Sequence, residues 1–142
     1  VVLAIENHID LLADELLELV TTIDSPFLGV CLDTANNLRM FEDPLEVARK
    51  LAPYARATHV KDITTQRGNP REFAFWPSVP IGEGLIDIGA VFELLRASNY
   101  SGLLALEIDY LHPAWHRADG DDEKAIGASL AAMRGLIAAT AA

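Results

Sequence analysis

Four short apolar runs, at 1–6, 27–33, 56–61 and 103–107, are each followed by a segment with helical spacing, and this alternation restricts the chain more than any other feature. The runs are β-branched or leucine-rich and have the length of buried strands. Strands alternating with helices require a parallel sheet, because each crossover carries the chain back to the same end. The expected order is therefore β-α-β-α-β-α-β-α in a single α/β domain spanning 1–142. At 142 residues the chain is long enough to bury a core.

The helical segments have readable limits. The 10–23 stretch places Leu12, Leu16, Leu19 or Val20, and Ile23 on one face. Asp43 followed by Pro44 reads as an N-cap and first helical position, and the helix should stop near Ala52, before Pro53. Asp87 is placed to cap a helix that buries Ile88, Val91, Leu94 and Leu95 and ends near Ser98. The last helix is expected over 122–138, with Ile126, Leu130, Met133 and Ile137 inside. The 63–86 stretch contains Pro70, Pro77, Pro80 and several glycines, so it reads as a long loop with at most a short helical turn.

Each strand ends in a residue able to bind metal or move a proton: Glu6, Asp33, His59 and Glu107. The C-terminal ends of parallel strands share one face of the fold, so topology gathers all four. Side-chain alternation supports the grouping. Two positions before each lies a small residue, Ala4, Cys31, Ala57 or Ala105, on the same side. The opposite side carries Leu3, Ile5, Leu32, Thr58, Val60, Leu104 and Leu106, which suits packing under helices. Small residues beneath a polar layer leave room for an ion and a compact ligand. Three carboxylates and one imidazole favour Mn²⁺ or Mg²⁺, with Co²⁺ or Zn²⁺ next. A structural zinc site would use more Cys or His. His8 and Lys61 share the inward side with Glu6 and His59, which makes both candidates for substrate contact.

Net charge is −10. This argues against nucleic-acid and anionic membrane surfaces, which call for clustered Lys and Arg. No apolar run reaches the length of a membrane span. The lone cysteine, Cys31, has no intrachain partner, which fits a cytoplasmic protein. A chain opening at Val1 directly into a strand is expected to be part of a longer one.

The motifs Ile-Glu-Asn-His, Leu-Asp-Thr-Ala-Asn, His-Val-Lys-Asp, Ile-Gly-Glu-Gly-Leu-Ile-Asp and Leu-Glu-Ile-Asp resemble the xylose isomerase-like TIM-barrel superfamily. That superfamily includes sugar phosphate isomerase/epimerase-like proteins, ketose 3-epimerases, hydroxypyruvate isomerases, inosose dehydratases and endonuclease IV. The resemblance covers essentially the whole chain but only strands five to eight of the barrel, so it implies a (β/α)4 half. It implies that Glu6, Asp33, His59 and Glu107 hold one divalent metal, and that Glu6 and Glu107 also act as acid and base on a ketose. The implied activity is isomerisation or epimerisation of a small sugar, sugar phosphate or hydroxy-keto acid through an enediolate. A metal- or partner-binding half-barrel without turnover is the alternative, and a dehydratase stands close by. Two positions depart from the ketose 3-epimerase pattern: Asn36 stands where a substrate-binding histidine is usual, and Thr65 where an arginine is. Asn36 can still hydrogen-bond substrate. The extra histidines of endonuclease IV are missing, one of them also at Asn36. Four units do not close a barrel and leave two strand edges, so either self-association or a missing N-terminal half is expected to complete it.

Overall fold

In a computed structural model, which describes residues 1–115, 118 and 121–140, the expected alternation is present. Strands β1 (Leu3–Glu6), β2 (Leu28–Asp33), β3 (Ala55–Val60) and β6 (Ala105–Leu106) form one parallel sheet in the order β1-β2-β3-β6. Helices α1 (Ala13–Ile23), α2 (Pro44–Leu51), α3 (Ile88–Ala97) and α4 (Asp121–Thr140) follow them in turn. No described helix is long and apolar enough to cross a membrane.

Local chemistry explains most boundaries. The Asp43 carboxylate accepts from the Leu45 and Glu46 N–H groups, and Pro44 opens α2 as expected. Asp87 accepts from Ala90 N and starts α3. Helix α1 begins three residues later than the sequence suggests. Its free N–H groups find carboxylates there: Glu15 accepts from Leu12 N, and Glu42, distant in sequence, accepts from Ala13 N.

The core lies between the sheet and the helices. Val30, Leu32 and Val60 are fully buried on the strands' outer side, against Leu16, Val47, Leu51, Val91 and Leu95. Each such side chain is worth about 1.5–3 kcal/mol relative to exposure.

Two expectations need correction. In α4 the buried stripe is Ala125, Ser129 and Met133, while Ile126, Leu130 and Ile137 are exposed. Met133 is buried as expected, but Ala125 and Ser129 take the places of Ile126 and Leu130, one position round the helix, because their small side chains let it approach closely. Ser129 also accepts from Ile81 N and donates to Ala125 O, tying the helix to the 63–86 segment. In α1, Leu16 and Val20 are buried as expected, together with Ala13, whereas Leu12, Leu19 and Ile23 are exposed. The exposed apolar side chains thus collect on the first and last units, where no further unit packs among the described residues.

The 63–86 segment is more ordered than a loop. Strands β4 (Asp62–Ile63) and β5 (Ser78–Val79) pair antiparallel, with a short 3₁₀ turn at Phe73–Phe75. The Asp62 carboxylate accepts three backbone N–H groups, from Gly82, Gly84 and Ile86, and holds the returning turn.

Candidate metal site

Strand register determines how the four strand-end residues meet. Glu6 pairs with Cys31, Asp33 with His59, and His59 with Ala105. Between successive strands the candidate positions therefore step by two, zero and two residues. This stagger is half the shear of about eight that closes an eight-stranded parallel barrel. It brings one ligand atom each from Glu6, Asp33, His59 and Glu107 within 4.8 Å of one another. Two positions before Asp33, Cys31 is buried.

The donors are arranged to leave lone pairs free. Asp33 Oδ1 accepts from Ala35 N at 2.8 Å and Asn36 N at 2.7 Å, while the buried Oδ2 has no hydrogen-bond partner. The buried Glu107 Oε2 also has none. Glu6 Oε1 lies 3.1 Å from both His59 Nδ1 and Asn36 Nδ2. Asp33 Oδ2 and Glu107 Oε2 both face the Lys61 ammonium rather than an aligned hydrogen-bond donor, and two such carboxylate oxygens in one cluster fit a cation of hard, oxygen-preferring character.

The surrounding charges are unevenly matched. Lys61 is 2% exposed, and its Nζ lies 2.7 Å from Asp109 Oδ2, 2.8 Å from Glu107 Oε2 and 3.2 Å from Asp33 Oδ2. Burial works against its charge, but Asp33, Asp109 and Glu107 outweigh burial and hold the ammonium above the usual lysine range. For Asp33 the balance goes the other way: burial pushes the carboxyl up to about 6, despite Lys61 and the Ala35 and Asn36 N–H groups. Burial also opposes the Asp109 charge, but Lys61, with Arg39 at 3.6 Å, holds that carboxyl below its usual range. Burial, followed by the charges of Glu6, Asp33 and Glu107, pushes the Cys31 thiol up to about 11.

The family model for the xylose isomerase-like TIM barrel matches residues 1–136. The chain belongs to this family. It is 30% identical to the 3-oxo-isoapionate decarboxylase of Pectobacterium atrosepticum over 97 residues, covering 68% of this chain and 35% of that enzyme. It is 27% identical to an inosose dehydratase of Bacillus thuringiensis over 104 residues, covering 67% and 35%. A xylose isomerase domain protein from Planctomyces limnophilus superposes with a TM-score of 0.76 at 28% identity, covering 99% of this chain and 46% of that one. Two solved structures under 25% identical share the fold. One is a xylose isomerase-like TIM barrel protein from Mycobacterium smegmatis in complex with magnesium (TM-score 0.73, 18% identity, 100% and 45% covered). The other is a D-tagatose 3-epimerase-like protein (0.66, 21%, 99% and 48%). The chain thus spans about a third of these curated relatives and just under half of the solved barrels. Its four βα units form a partial TIM barrel, and the half-stagger of its register is what such a piece requires.

Within this half-barrel, several supporting residues escaped the sequence reading. Asn7 is fully buried and hydrogen-bonds both backbone groups of Asp33. It also donates to Asn37 Oδ1, and Asn37 in turn donates to the Glu42 carboxylate that caps α1. Thr34 Oγ1 accepts from Lys61 N at 2.9 Å and donates to Lys61 O, fixing the start of the lysine side chain. Arg39 and Asp109 were also missed. The available signal was proximity in sequence: Asn7, Thr34 and Asp109 sit within two residues of Glu6, Asp33 and Glu107.

The remaining candidates fall in different places. Asn36 is buried, and its Nδ2 donates to Glu6 Oε1 and Asn7 O. His8 is exposed beyond the end of β1. Lys61 faces carboxylates with its ammonium, which leaves little of it for substrate. Trp76 donates to Pro70 O and meets Phe75 edge-on at 5.0 Å, which pins its own segment. His112 accepts from Ala114 N, and His116 and Arg117 lie outside the described residues.

Proposed function

We propose that this chain carries the divalent-metal site of an enzyme that isomerises or epimerises a small sugar, sugar phosphate or hydroxy-keto acid. The observation supporting this most directly is the four-residue cluster with two buried carboxylate oxygens, Asp33 Oδ2 and Glu107 Oε2, left without hydrogen bonds. Glu6, Asp33, His59 and Glu107 would hold Mn²⁺ or Mg²⁺, with Co²⁺ or Zn²⁺ as alternatives. The bound ion would supply Lewis-acid stabilisation of developing negative charge on the substrate.

The proton work falls to the chain's own carboxylates. Glu6 and Glu107 approach the cluster from the ends of β1 and β6, the two outer strands of the sheet. One removes the proton next to the carbonyl, giving an enediolate, and the other returns a proton at the opposite face or the adjacent carbon. Asn36 holds Glu6, and exposed His8 further out is the candidate for substrate contact. The enediolate also links this reading to a dehydratase, in which loss of a neighbouring hydroxyl follows the same proton removal; similarity to inosose dehydratases favours that as the second reading.

The test is proton exchange. Mn²⁺ should bind at one ion per cluster, and ketose or hydroxy-keto substrates should then exchange the proton next to the carbonyl with D₂O. Glu107→Gln should abolish the exchange. One bound ion with no exchange for any substrate would leave a metal-binding half-barrel that needs a second half, or a second copy, to turn over. No bound ion at all would sink the reading.

A further inference from the structure

The Lys61 ammonium lies against the same two oxygens that lack hydrogen bonds. Its Nζ is 2.8 Å from Glu107 Oε2 and 3.2 Å from Asp33 Oδ2, without hydrogen-bond alignment to either. Its aligned hydrogen bond goes to Asp109 Oδ2 at 2.7 Å, and Asp109 is backed by Arg39 at 3.6 Å. The lysine is enclosed by the protein. It is 2% exposed, and Thr34 clamps its backbone from both sides.

We propose that Lys61 is a tethered counter-ion that competes with the metal for Asp33 and Glu107, and that Asp109 sets the strength of this competition by drawing the ammonium aside. This rests on the reading of Glu6, Asp33, His59 and Glu107 as metal ligands and assigns Lys61 a positioning role rather than a substrate contact. Without an ion, Lys61 neutralises part of a group of carboxylates that repel one another. With an ion, its positive charge stands close to a divalent cation and weakens binding. Asp109 keeps the two apart and keeps the ammonium paired when the ligand oxygens turn to the metal. The result is a site that stays folded when empty and releases its ion readily.

Mn²⁺ affinity read by electron paramagnetic resonance tests this, and two variants should move it in opposite directions. Lys61→Met should bind Mn²⁺ at least about tenfold more tightly, since a nearby like charge has gone. Its ion-free form should melt lower, with a larger upward shift on adding Mn²⁺. Asp109→Asn frees the ammonium to lean on Asp33 and Glu107, so Mn²⁺ binding should weaken by about tenfold. Arg39→Met removes a positive charge 3.6 Å from the Asp109 oxygen that Lys61 also contacts, but one that touches none of the four ligand carboxylates or the imidazole, and should change affinity by less than about threefold. If Lys61→Met does not fold without metal, refolding it with Mn²⁺ and the Asp109→Asn measurement still decide. The proposal is overturned if both variants weaken binding, if neither moves it, or if Arg39→Met matches Lys61→Met. Absence of Mn²⁺ binding by the unmodified chain would instead remove the ligand assignment itself.

Discussion

Asn7 bonds Asp33 as a strand would: its Nδ2 donates to Asp33 O at 2.9 Å and its Oδ1 accepts from Asp33 N at 2.8 Å. One amide side chain thus extends the β1–β2 ladder past the point where β1 ends, and it fixes the distance between Glu6 and Asp33. Replacing Asn7 with Ala leaves two buried backbone groups of Asp33 unpaired. Stability should fall by roughly 2–4 kcal/mol, measured by urea unfolding. Mn²⁺ affinity should fall with it, whereas a solvent-facing substitution such as Glu18→Ala should change neither.

Asp33 gives a pH dependence. Its folded carboxyl is pushed up to about 6 from 3.8 by burial. A raised carboxylate contributes stability that is fully present below its unfolded pKa and lost as pH rises through the folded value. The metal-free protein should therefore lose this contribution between about pH 4 and 6. Metal binding needs the carboxylate, so Mn²⁺ affinity should climb over the same range. Titrations at pH 5 and pH 7.5 check this; equal affinity at both would be inconsistent with Asp33 as a ligand.

Cys31 should be inert at neutral pH. Burial and three neighbouring carboxylates push its thiol up to about 11. Iodoacetamide at pH 7.5 should alkylate it only as fast as the chain unfolds. The sign for stability is that of a raised thiol: the contribution is intact below the unfolded pKa of about 9 and disappears as pH rises through about 11.

The Asp62–Gly84 approach is tight enough to forbid a side chain. A Cβ on Gly84 would fall 2.6 Å from Ile63 O and closer still to the Asp62 carboxylate. Gly84→Ala should unseat the turn that Asp62 holds. Asp62→Asn, which cannot accept at both oxygens, should cost about 1–3 kcal/mol. Thermal melting of each reads the loss.

Much of this molecule is legible in its sequence. Strand-length apolar runs and caps such as Asp43–Pro44 and Asp87 act locally, so they located the units and most helix starts. The period of two along each strand placed Glu6, Asp33, His59 and Glu107 on one side of the sheet, with Ala4, Cys31, Ala57 and Ala105 beneath them. Helix faces were harder. Ile126, Leu130 and Ile137 outweighed Ala125 and Ser129 in a hydrophobic count, although close approach favours the small residues. The Asp62–Ile63 ribbon was invisible because two-residue strands carry no periodicity.

The sequence by itself determined a parallel βα array with four metal-competent residues at its strand ends, because secondary-structure period and topology depend only on order along the chain. Tertiary structure decided what holds those residues and what opposes an ion among them. The register supplies the stagger that gathers their atoms within 4.8 Å. Asn7 and Asn36 secure the β1–β2 junction, and Lys61 lies between Asp33, Glu107 and Asp109. These are contacts across 26 to 48 positions of sequence, and only packing determines which buried charge finds which partner.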